Sequence, residues 1–179
     1  MIYLLKNISK KINELNEWVG KTTAWLTAIL MLIVCFDVIA RKLFNFSRIW
    51  IMDIEWHLYA MIFLLAAGYA LRHDRHVRVD LFYEKFTGKD KALTNFMGHL
   101  LFLVPWCLVV IYYSFGYAVE SLRLNEGSPE PGGLPARYFI KFCISIGIGL
   151  LLLQAIAGLI DAGLALFQND FSKKENLPE

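Results

Sequence analysis

The sequence predicts an all-α integral membrane protein with four transmembrane helices, an N-terminal amphipathic interfacial helix and both termini in the cytoplasm. Three observations support this fold class. Apolar residues make up 57% of the 179 residues, against about 45–50% in ordinary soluble domains. Four apolar runs reach the length of about 20 residues that a transmembrane helix needs. Lysine and arginine are concentrated in alternate connecting segments, as in membrane proteins of fixed orientation.

The start of the chain predicts an amphipathic helix over residues 2–20 rather than a cleaved signal peptide. A signal peptide would have a short basic start, an uninterrupted apolar stretch and a small-residue cleavage site. Here apolar residues recur at helical spacing, with lysines and glutamates on the other faces: Leu4, Ile8, Ile12, Leu15 and Val19. We expect this helix to lie in the membrane interface with its lysines toward the headgroups. Packing against a partner is the alternative.

The four spans are expected at about 22–44, 50–71, 92–124 and 138–167, within a single membrane domain covering 1–179. The third run is longer than a bilayer needs, so its helix must tilt, protrude or bend, and Pro105 is where a bend is expected. The segment before the last span is rich in proline and glycine and predicts a loop. Too little sequence lies outside the spans for a soluble catalytic domain, so we do not expect an enzyme.

The distribution of basic residues predicts the orientation. With the N-terminus inside, 12 of the 18 lysines and arginines face the cytoplasm and 6 face the outside, as the positive-inside rule requires. Basic residues near the inner surface are expected to contact anionic headgroups or acids of a partner, and tryptophan is favoured at the interface. The resulting lipid-anchoring candidates are Lys6, Lys10, Lys11, Trp18, Arg72 and Arg75.

Ionisable residues within the predicted spans are functional candidates by default. They are Asp37, Glu55, His57, His99, Lys141 and Asp161. Asp37 precedes Arg41 by four residues, the favourable order for a helical ion pair, although Arg41 could also reach Glu55 across the short outer connection. We expect a structural role for these charges, since most lie near span ends, where side chains can pair or reach the interface.

The apolar spans have two alternative roles, a substrate path of the chain's own and a haem anchor. A transporter with its own substrate path usually has internal repeats and helices interrupted near the midplane, and neither is visible here. A haem anchor needs two histidines at matching depth on facing helices, but His57 and His99 are expected to differ by roughly 9 Å in depth. No cofactor is therefore expected, and we do not expect the chain to transport a substrate alone.

Several residues follow a recognisable order between about 22 and 167. Arg41 and Phe44 close the first span, Trp50 and Glu55 open the second, and Gly68 lies near its inner end. Two longer motifs follow: His76-Val77-Arg78-Val79-Asp80 and Gly133-Leu134-Pro135-Ala136-Arg137-Tyr138. This order resembles the small membrane subunit of tripartite ATP-independent periplasmic (TRAP) transporters, the DctQ-like family. Lys42 departs from the pattern, because many relatives have tyrosine there.

The resemblance implies a non-catalytic subunit in the bacterial inner membrane. In such systems a periplasmic substrate-binding protein delivers a small organic anion to a large membrane subunit, which moves it by a sodium-driven, elevator-like motion. The small subunit binds the scaffold of the large one. Expected partners are these two proteins and membrane lipids, without nucleic acid. The implied interface or structural candidates are Arg41, Trp50, Glu55, Gly68, His76, Arg78, Asp80, Pro135 and Arg137.

The substrate stays open among sialic acids, dicarboxylates, oxo acids and sulfonates. The alternative function is a four-helix membrane anchor of another multisubunit complex, such as a redox complex that binds haem. For the motif at 76–80 we favour a folded inner loop over a ligand site. Asp80 is expected to cap a helix that follows it.

Overall fold

The computed structural model describes residues 2–73 and 86–168. Four helices in this part of the chain are long and apolar enough to cross a membrane, which confirms the predicted all-α class and the number of spans. We label them α1 to α4 in chain order: Ile2–Phe44, Ile49–Arg72, Gly88–Arg123 and Tyr138–Gln168. Within the described residues there is no β-strand.

Helix α1 differs from the prediction of a separate interfacial helix followed by a span. It runs without a break over 43 residues, or about 64 Å, twice the thickness of the hydrocarbon core. No proline or turn cluster occurs where the two segments were expected to meet. Gly20 at this point packs so closely against the ring of Tyr69 in α2 that a β-carbon there would overlap it. The amphipathic segment is therefore the first half of one long helix.

Helix α4 is the centre of the bundle and contacts the other three helices. This position follows from its composition, because small residues allow close approach of neighbouring helices. A β-carbon on Gly147 would lie 2.6 Å from the carbonyl oxygen of Leu64 in α2. The buried core lies along the same helix and extends to α2 and α3 through Leu71, Cys107, Ile148, Leu151 and Ala155.

The contacts also give the relative heights of the helices. Leu64 in α2 faces Gly147 in α4, and Gly68 faces Leu150 one turn later, so these two helices run parallel. Helix α1 runs antiparallel to α2, since Arg72 at the end of α2 reaches the carbonyl of Asn13. The 24 residues of α2 span about 36 Å, close to one bilayer crossing. The start of α1 and the end of α4 therefore project beyond α2.

The start of α1 and the end of α4 lie at the same end of the bundle, which we call the terminal end. The two described connections, at 45–48 and 124–137, lie at the opposite end, which we call the loop end. The placement of both termini in the cytoplasm stays a prediction. Assignment of the terminal end to the cytoplasm rests on the distribution of lysine and arginine.

The third helix, in which a bend is expected at Pro105, contains a π-helical turn at His99–Leu103, just before this proline. Proline has no N–H to donate, and its ring clashes with the carbonyl group four residues earlier. A π-helical turn at this position accommodates the ring while the helix continues. The helix also begins four residues earlier than predicted, where Thr87 and Asp90 form a reciprocal capping box.

The predicted loop before α4 is confirmed as non-helical over 125–135. Asn125, Gly132 and Ala136 have positive φ angles of 47°, 83° and 65°, which helix residues do not adopt. The loop is closed by backbone hydrogen bonds, including one of 2.8 Å from the Arg137 N–H to the Glu126 carbonyl. The loop thus has a defined path across the loop end.

Candidate functional site

The polar side chains that the bundle buries are concentrated near its two ends. At the terminal end, α1 is joined to α4 by a chain of amide hydrogen bonds. Asn16 is fully buried and donates to Gln154 at 3.0 Å, and Gln154 donates to Asn13 at 2.7 Å. Two turns further out, the Ser9 hydroxyl donates to Asp161 at 2.8 Å. The face of α1 that packs inside the protein is therefore polar.

The amphipathic segment uses a third face, between its apolar stripe and its lysines, for packing inside the protein. The predicted apolar stripe is largely exposed on the outside of the bundle, with Leu4 64%, Ile8 47% and Leu15 41% exposed. Ser9, Asn13 and Asn16 meet α4 and Gly68 of α2, whereas the lysines that were expected at the headgroups stay exposed. A β-carbon on Gly68 would overlap the amide of Asn16, so this glycine permits the close contact of α1 and α2.

An ion-pair cluster joins α1 to α2 next to these amides. Glu17 accepts from Arg72 at 2.9 Å and lies 2.9 Å from a ring nitrogen of His73. It also pairs with Lys21 at 3.1 Å. Arg72 was expected to contact headgroups or acids of a partner, but its guanidinium is mainly engaged by Glu17 and the Asn13 carbonyl of its own chain.

At the loop end, the predicted pair of Asp37 and Arg41 forms. Asp37 is 2% exposed, whereas the Arg41 side chain is 51% exposed. The arginine therefore neutralises a buried carboxylate and keeps part of its guanidinium accessible from outside. The second oxygen of Asp37 and one oxygen of Glu55 are buried without a hydrogen-bond partner among the described residues.

A second loop-end cluster was missed by the sequence analysis. Lys141, buried in the first turn of α4, donates to the carboxylate of Glu126 in the preceding loop. Ser121 donates to the same oxygen at 2.7 Å, and the Lys141 ammonium lies 3.8 Å from the centre of the Tyr117 ring. The hydrogen bond from Lys141 is the main cause that lowers the pKa of Glu126, assisted by Ser121. A lysine inside an apolar span, with a glutamate in the adjoining loop, was the available signal.

The remaining interface candidates fall on exposed or loop positions. Trp50 is 42% exposed in the first turn of α2. Pro135 and Arg137 lie in the loop before α4, where the neighbouring Leu134 N–H donates to Asp53 at 2.8 Å and fastens the loop to α2. Four predicted candidates lie outside the described residues: Arg75, His76, Arg78 and Asp80.

The lipid-anchoring candidates in α1 lie on its exposed surface. Lys6, Lys10 and Lys11 are all exposed near the terminal end, and Trp18 is 67% exposed. Lys10 is 3.9 Å from Glu14, one turn later. These positions are compatible with contact to headgroups, and the role of each residue stays a prediction.

The two histidines considered for haem lie far apart. The His99 ring packs against Gly158, near the terminal end of α4. His57 lies seven residues before Leu64, which faces Gly147. Their heights along the bundle therefore differ by about 18 helical residues, or about 27 Å, which does not fit ligation of one iron. In the described part of the chain, no group of three His, Cys, Asp or Glu residues could hold a metal ion.

Comparison with known proteins identifies the family. The family model described as "Tripartite ATP-independent periplasmic transporters, DctQ component" matches residues 30–162. A curated relative, the sialic acid TRAP transporter permease protein SiaT of Haemophilus influenzae (strain 86-028NP), is 27% identical over 107 residues. The match covers 60% of this chain and 16% of SiaT, so the chain corresponds to a small part of that relative's length. No solved structure matches the chain.

The matched residues run from residue 30, in the second half of α1, to residue 162 in α4, and they include all of α2 and α3 and most of α4. They also include Arg41, Trp50, Glu55, Gly68 and Arg137, which carried the resemblance in the sequence. This four-helix chain therefore belongs to the DctQ family of TRAP transporter membrane subunits.

Proposed function

We propose that the chain is the small, non-catalytic permease subunit that braces the stationary scaffold of a large TRAP membrane subunit. It acts in the bacterial inner membrane with both termini in the cytoplasm. The large subunit carries a small organic anion, coupled to sodium, after a periplasmic binding protein has delivered it. The small subunit supplies a fixed frame, because an elevator-type domain changes depth only relative to a part that is held still.

The proposal rests on where the polar groups of the bundle lie and on which groups they bond to. Near the middle of the bundle, Ser114 of α3 and Ser145 of α4 bond to each other at 2.8 Å. At the two ends, amides and charges bond across α1, α2 and α4. Substrate sites in transporters are usually formed by polar groups and broken helices near the midplane, whereas these groups hold the helices together.

The outer surface of the bundle supports the same role. Large apolar side chains are exposed along α1 and α3, including Leu32 at 71%, Phe36 at 58% and Phe102 at 75%. Such faces suit lipid and a larger membrane partner. The length of the curated relative supports the same role, since the segment similar to this chain forms 16% of that TRAP permease. We infer that the rest of that permease corresponds to a separate large subunit here.

Reconstitution into liposomes tests the proposal. Uptake of radiolabelled organic anions is measured with this chain alone, the large subunit alone and both together, with the periplasmic binding protein and a sodium gradient. A panel of sialic acid, dicarboxylates, oxo acids and sulfonates covers the substrate class. We expect uptake only with both membrane subunits. Sodium-dependent uptake by this chain alone would contradict the bracing role, as would full uptake by the large subunit alone.

A further inference from the structure

A polar cleft opens at the terminal end of the bundle, between the start of α1 and the end of α4. Its volume is about 370 Å³. The side chains that matter for its chemistry are three cations, two carboxylates and one buried hydroxyl: Lys6, Lys10, Arg72, Glu14, Asp161 and Ser9.

The height of the cleft corresponds to the headgroup region of a bilayer. Arg72, on one wall, is the last residue of α2, whose length matches one crossing of the hydrocarbon core. Ser9 and Asp161 lie beyond Arg72, on the parts of α1 and α4 that project past α2. A ligand in the cleft would therefore contact polar walls at the depth where phospholipid headgroups lie.

The charges on the walls are only partly neutralised within the protein. Arg72 is engaged by Glu17, whereas Lys10 approaches Glu14 only to 3.9 Å. Lys6 forms no ion pair with any residue in the two described ranges. Two ammonium groups at one opening therefore favour an anion such as a phosphate.

Asp161 favours a ligand group of positive charge. One of its carboxylate oxygens accepts from the Ser9 hydroxyl at 2.8 Å, and this bond holds the side chain at the cleft wall. Within the part of the chain that the structure describes, no cation pairs with Asp161. A carboxylate at this depth favours a cationic partner with N–H groups to donate. The cleft thus contains ammonium groups and a carboxylate that do not pair with each other.

We propose that this cleft binds the headgroup of a phospholipid that carries both a phosphate and a primary ammonium, as phosphatidylethanolamine does. Lys6 and Lys10 bind the phosphate, and Asp161 accepts from the ammonium while Ser9 keeps the carboxylate in place. A trimethylammonium headgroup has no N–H to donate to Asp161, and a glycerol headgroup has no cation. The site goes beyond the bracing role and does not depend on the large subunit.

Lipid retention by the purified full-length chain tests the site. The protein in detergent is mixed with equal amounts of phosphatidylethanolamine, phosphatidylcholine and phosphatidylglycerol of identical acyl chains, and bound lipid is counted by native mass spectrometry. Inorganic phosphate and phosphoethanolamine are tested separately by thermal shift, which distinguishes a lipid from a free phosphate. We expect phosphatidylethanolamine to be retained about tenfold better than phosphatidylcholine, as a charge-assisted hydrogen bond implies.

Two variants separate the two halves of the site. Asp161→Asn keeps an oxygen for Ser9 and should abolish the preference for phosphatidylethanolamine over phosphatidylcholine. The double variant Lys6→Gln and Lys10→Gln should lower retention of all three phospholipids together. Glu120→Gln is the matched control, because this exposed carboxylate lies on α3 near the loop end. The melting temperature of each variant shows that it is folded.

Three results would overturn the proposal. The first is equal retention of the three phospholipids by the unmodified chain. The second is an unchanged preference in folded Asp161→Asn. The third is stabilisation by inorganic phosphate without retention of any lipid, which would assign the cleft to a soluble anion. None of these results bears on uptake by the reconstituted pair of subunits, so failure of this site leaves the bracing role separately testable.

Discussion

Gly147 and Gly149 lie two residues apart on α4 but differ in the space around them. A β-carbon on Gly147 would lie 2.6 Å from the carbonyl oxygen of Leu64 and 2.8 Å from its carbonyl carbon. Backbone atoms cannot move aside as a flexible side chain can. A β-carbon on Gly149 would meet no atom within 4 Å. The two positions therefore form a matched pair on the same helix.

We expect Gly147→Ala to destabilise the protein by about 1–3 kcal/mol, because the added methyl group overpacks the contact between α2 and α4. Gly149→Ala should be neutral or slightly stabilising, since alanine favours helix over glycine. The melting temperature in detergent, followed by circular dichroism, measures both effects. Equal melting temperatures for the two variants would contradict the close contact of α2 and α4.

We expect Glu126 to make the loop end sensitive to acid. Its pKa is lowered from the ordinary value of 4.5 chiefly by the hydrogen bond from Lys141. A carboxyl group with a lowered pKa contributes stability that is present above its unfolded pKa and lost as the pH falls through the lower folded value. The anchoring of the loop should therefore be complete at neutral pH and weaken below about pH 4.5.

We expect Glu126→Gln to remove this component of the acid sensitivity. The difference in melting temperature between the unmodified chain and the variant should shrink as the pH is lowered from 6 to 3. Glu120→Gln is the control, because Glu120 forms an exposed pair with Arg123 nearby. A difference that stays constant over this pH range would show that the charge of Glu126 does not hold the loop.

At the level of the helices, the first half of α1 packs on α4 through buried or half-buried polar side chains, which we call the polar seam: Ser9, Asn13 and Asn16. Asn16 is fully buried and donates to Gln154 of α4 at 3.0 Å. Hydrogen bonds between helices in a membrane contribute about 0.6 kcal/mol on average and up to about 1.7 kcal/mol. The seam thus explains why the first half of α1 continues the span and packs on α4.

A double-mutant cycle of Asn16→Ala and Gln154→Ala measures this contact. We expect each single variant to lose about 1–3 kcal/mol, because it leaves a buried amide without its partner. The coupling energy should fall between about 0.6 and 1.7 kcal/mol. Asn7→Ala is the control on an exposed position of α1. A coupling energy of zero would indicate that the start of α1 lies free in the interface.

The π-helical turn in α3 is a second feature of this scale. It lies at His99–Leu103 and separates the segment that begins at the Thr87 cap from the segment that begins at Val104. The turn places the His99 ring against Gly158. Because this contact lies near the terminal end, His99 and His57 differ by about 27 Å in height, which is too far for the two side chains to ligate one iron.

At the scale of the whole molecule, assembly with the large subunit should depend on the loop end. Arg41→Ala and Glu55→Ala are expected to weaken that assembly by about tenfold while leaving substrate preference unchanged. Arg41 retains an accessible guanidinium, and Glu55 has a buried carboxylate oxygen without a partner among the described residues. Copurification and a competition uptake assay measure the two quantities. A changed substrate preference with an intact complex would contradict the prediction.

Arg123→Ala is the control for these variants, because this exposed arginine of α3 also lies at the loop end but pairs with Glu120 of its own helix. The Arg41 variant leaves the buried Asp37 carboxylate without its counter-charge. Its melting temperature must therefore be measured, and Glu55→Gln, which keeps the shape of the side chain, gives a second test of the same surface.

Several features could be predicted from the sequence because they depend on local chemistry. The four spans follow from apolar length, the loop at 125–135 from its prolines and glycines, and the Asp37–Arg41 pair from spacing on one helix. The partner of Lys141 could not be predicted in this way. Glu126 reaches it only because the loop folds back over α4, and the loop path depends on contacts such as that between Leu134 and Asp53.

Apolar length and motif order are properties of the chain alone, and they were enough to predict a four-span, all-α membrane protein of the DctQ type. Which face of each helix lies inside the bundle depends on the fold. In the first half of α1 the face with Ser9 and Asn16 is buried, since Asn16 donates to Gln154 of α4, whereas the lysines are exposed. Hydrophobic periodicity identifies two faces of a helix, but the partners available in the fold decide which one is packed.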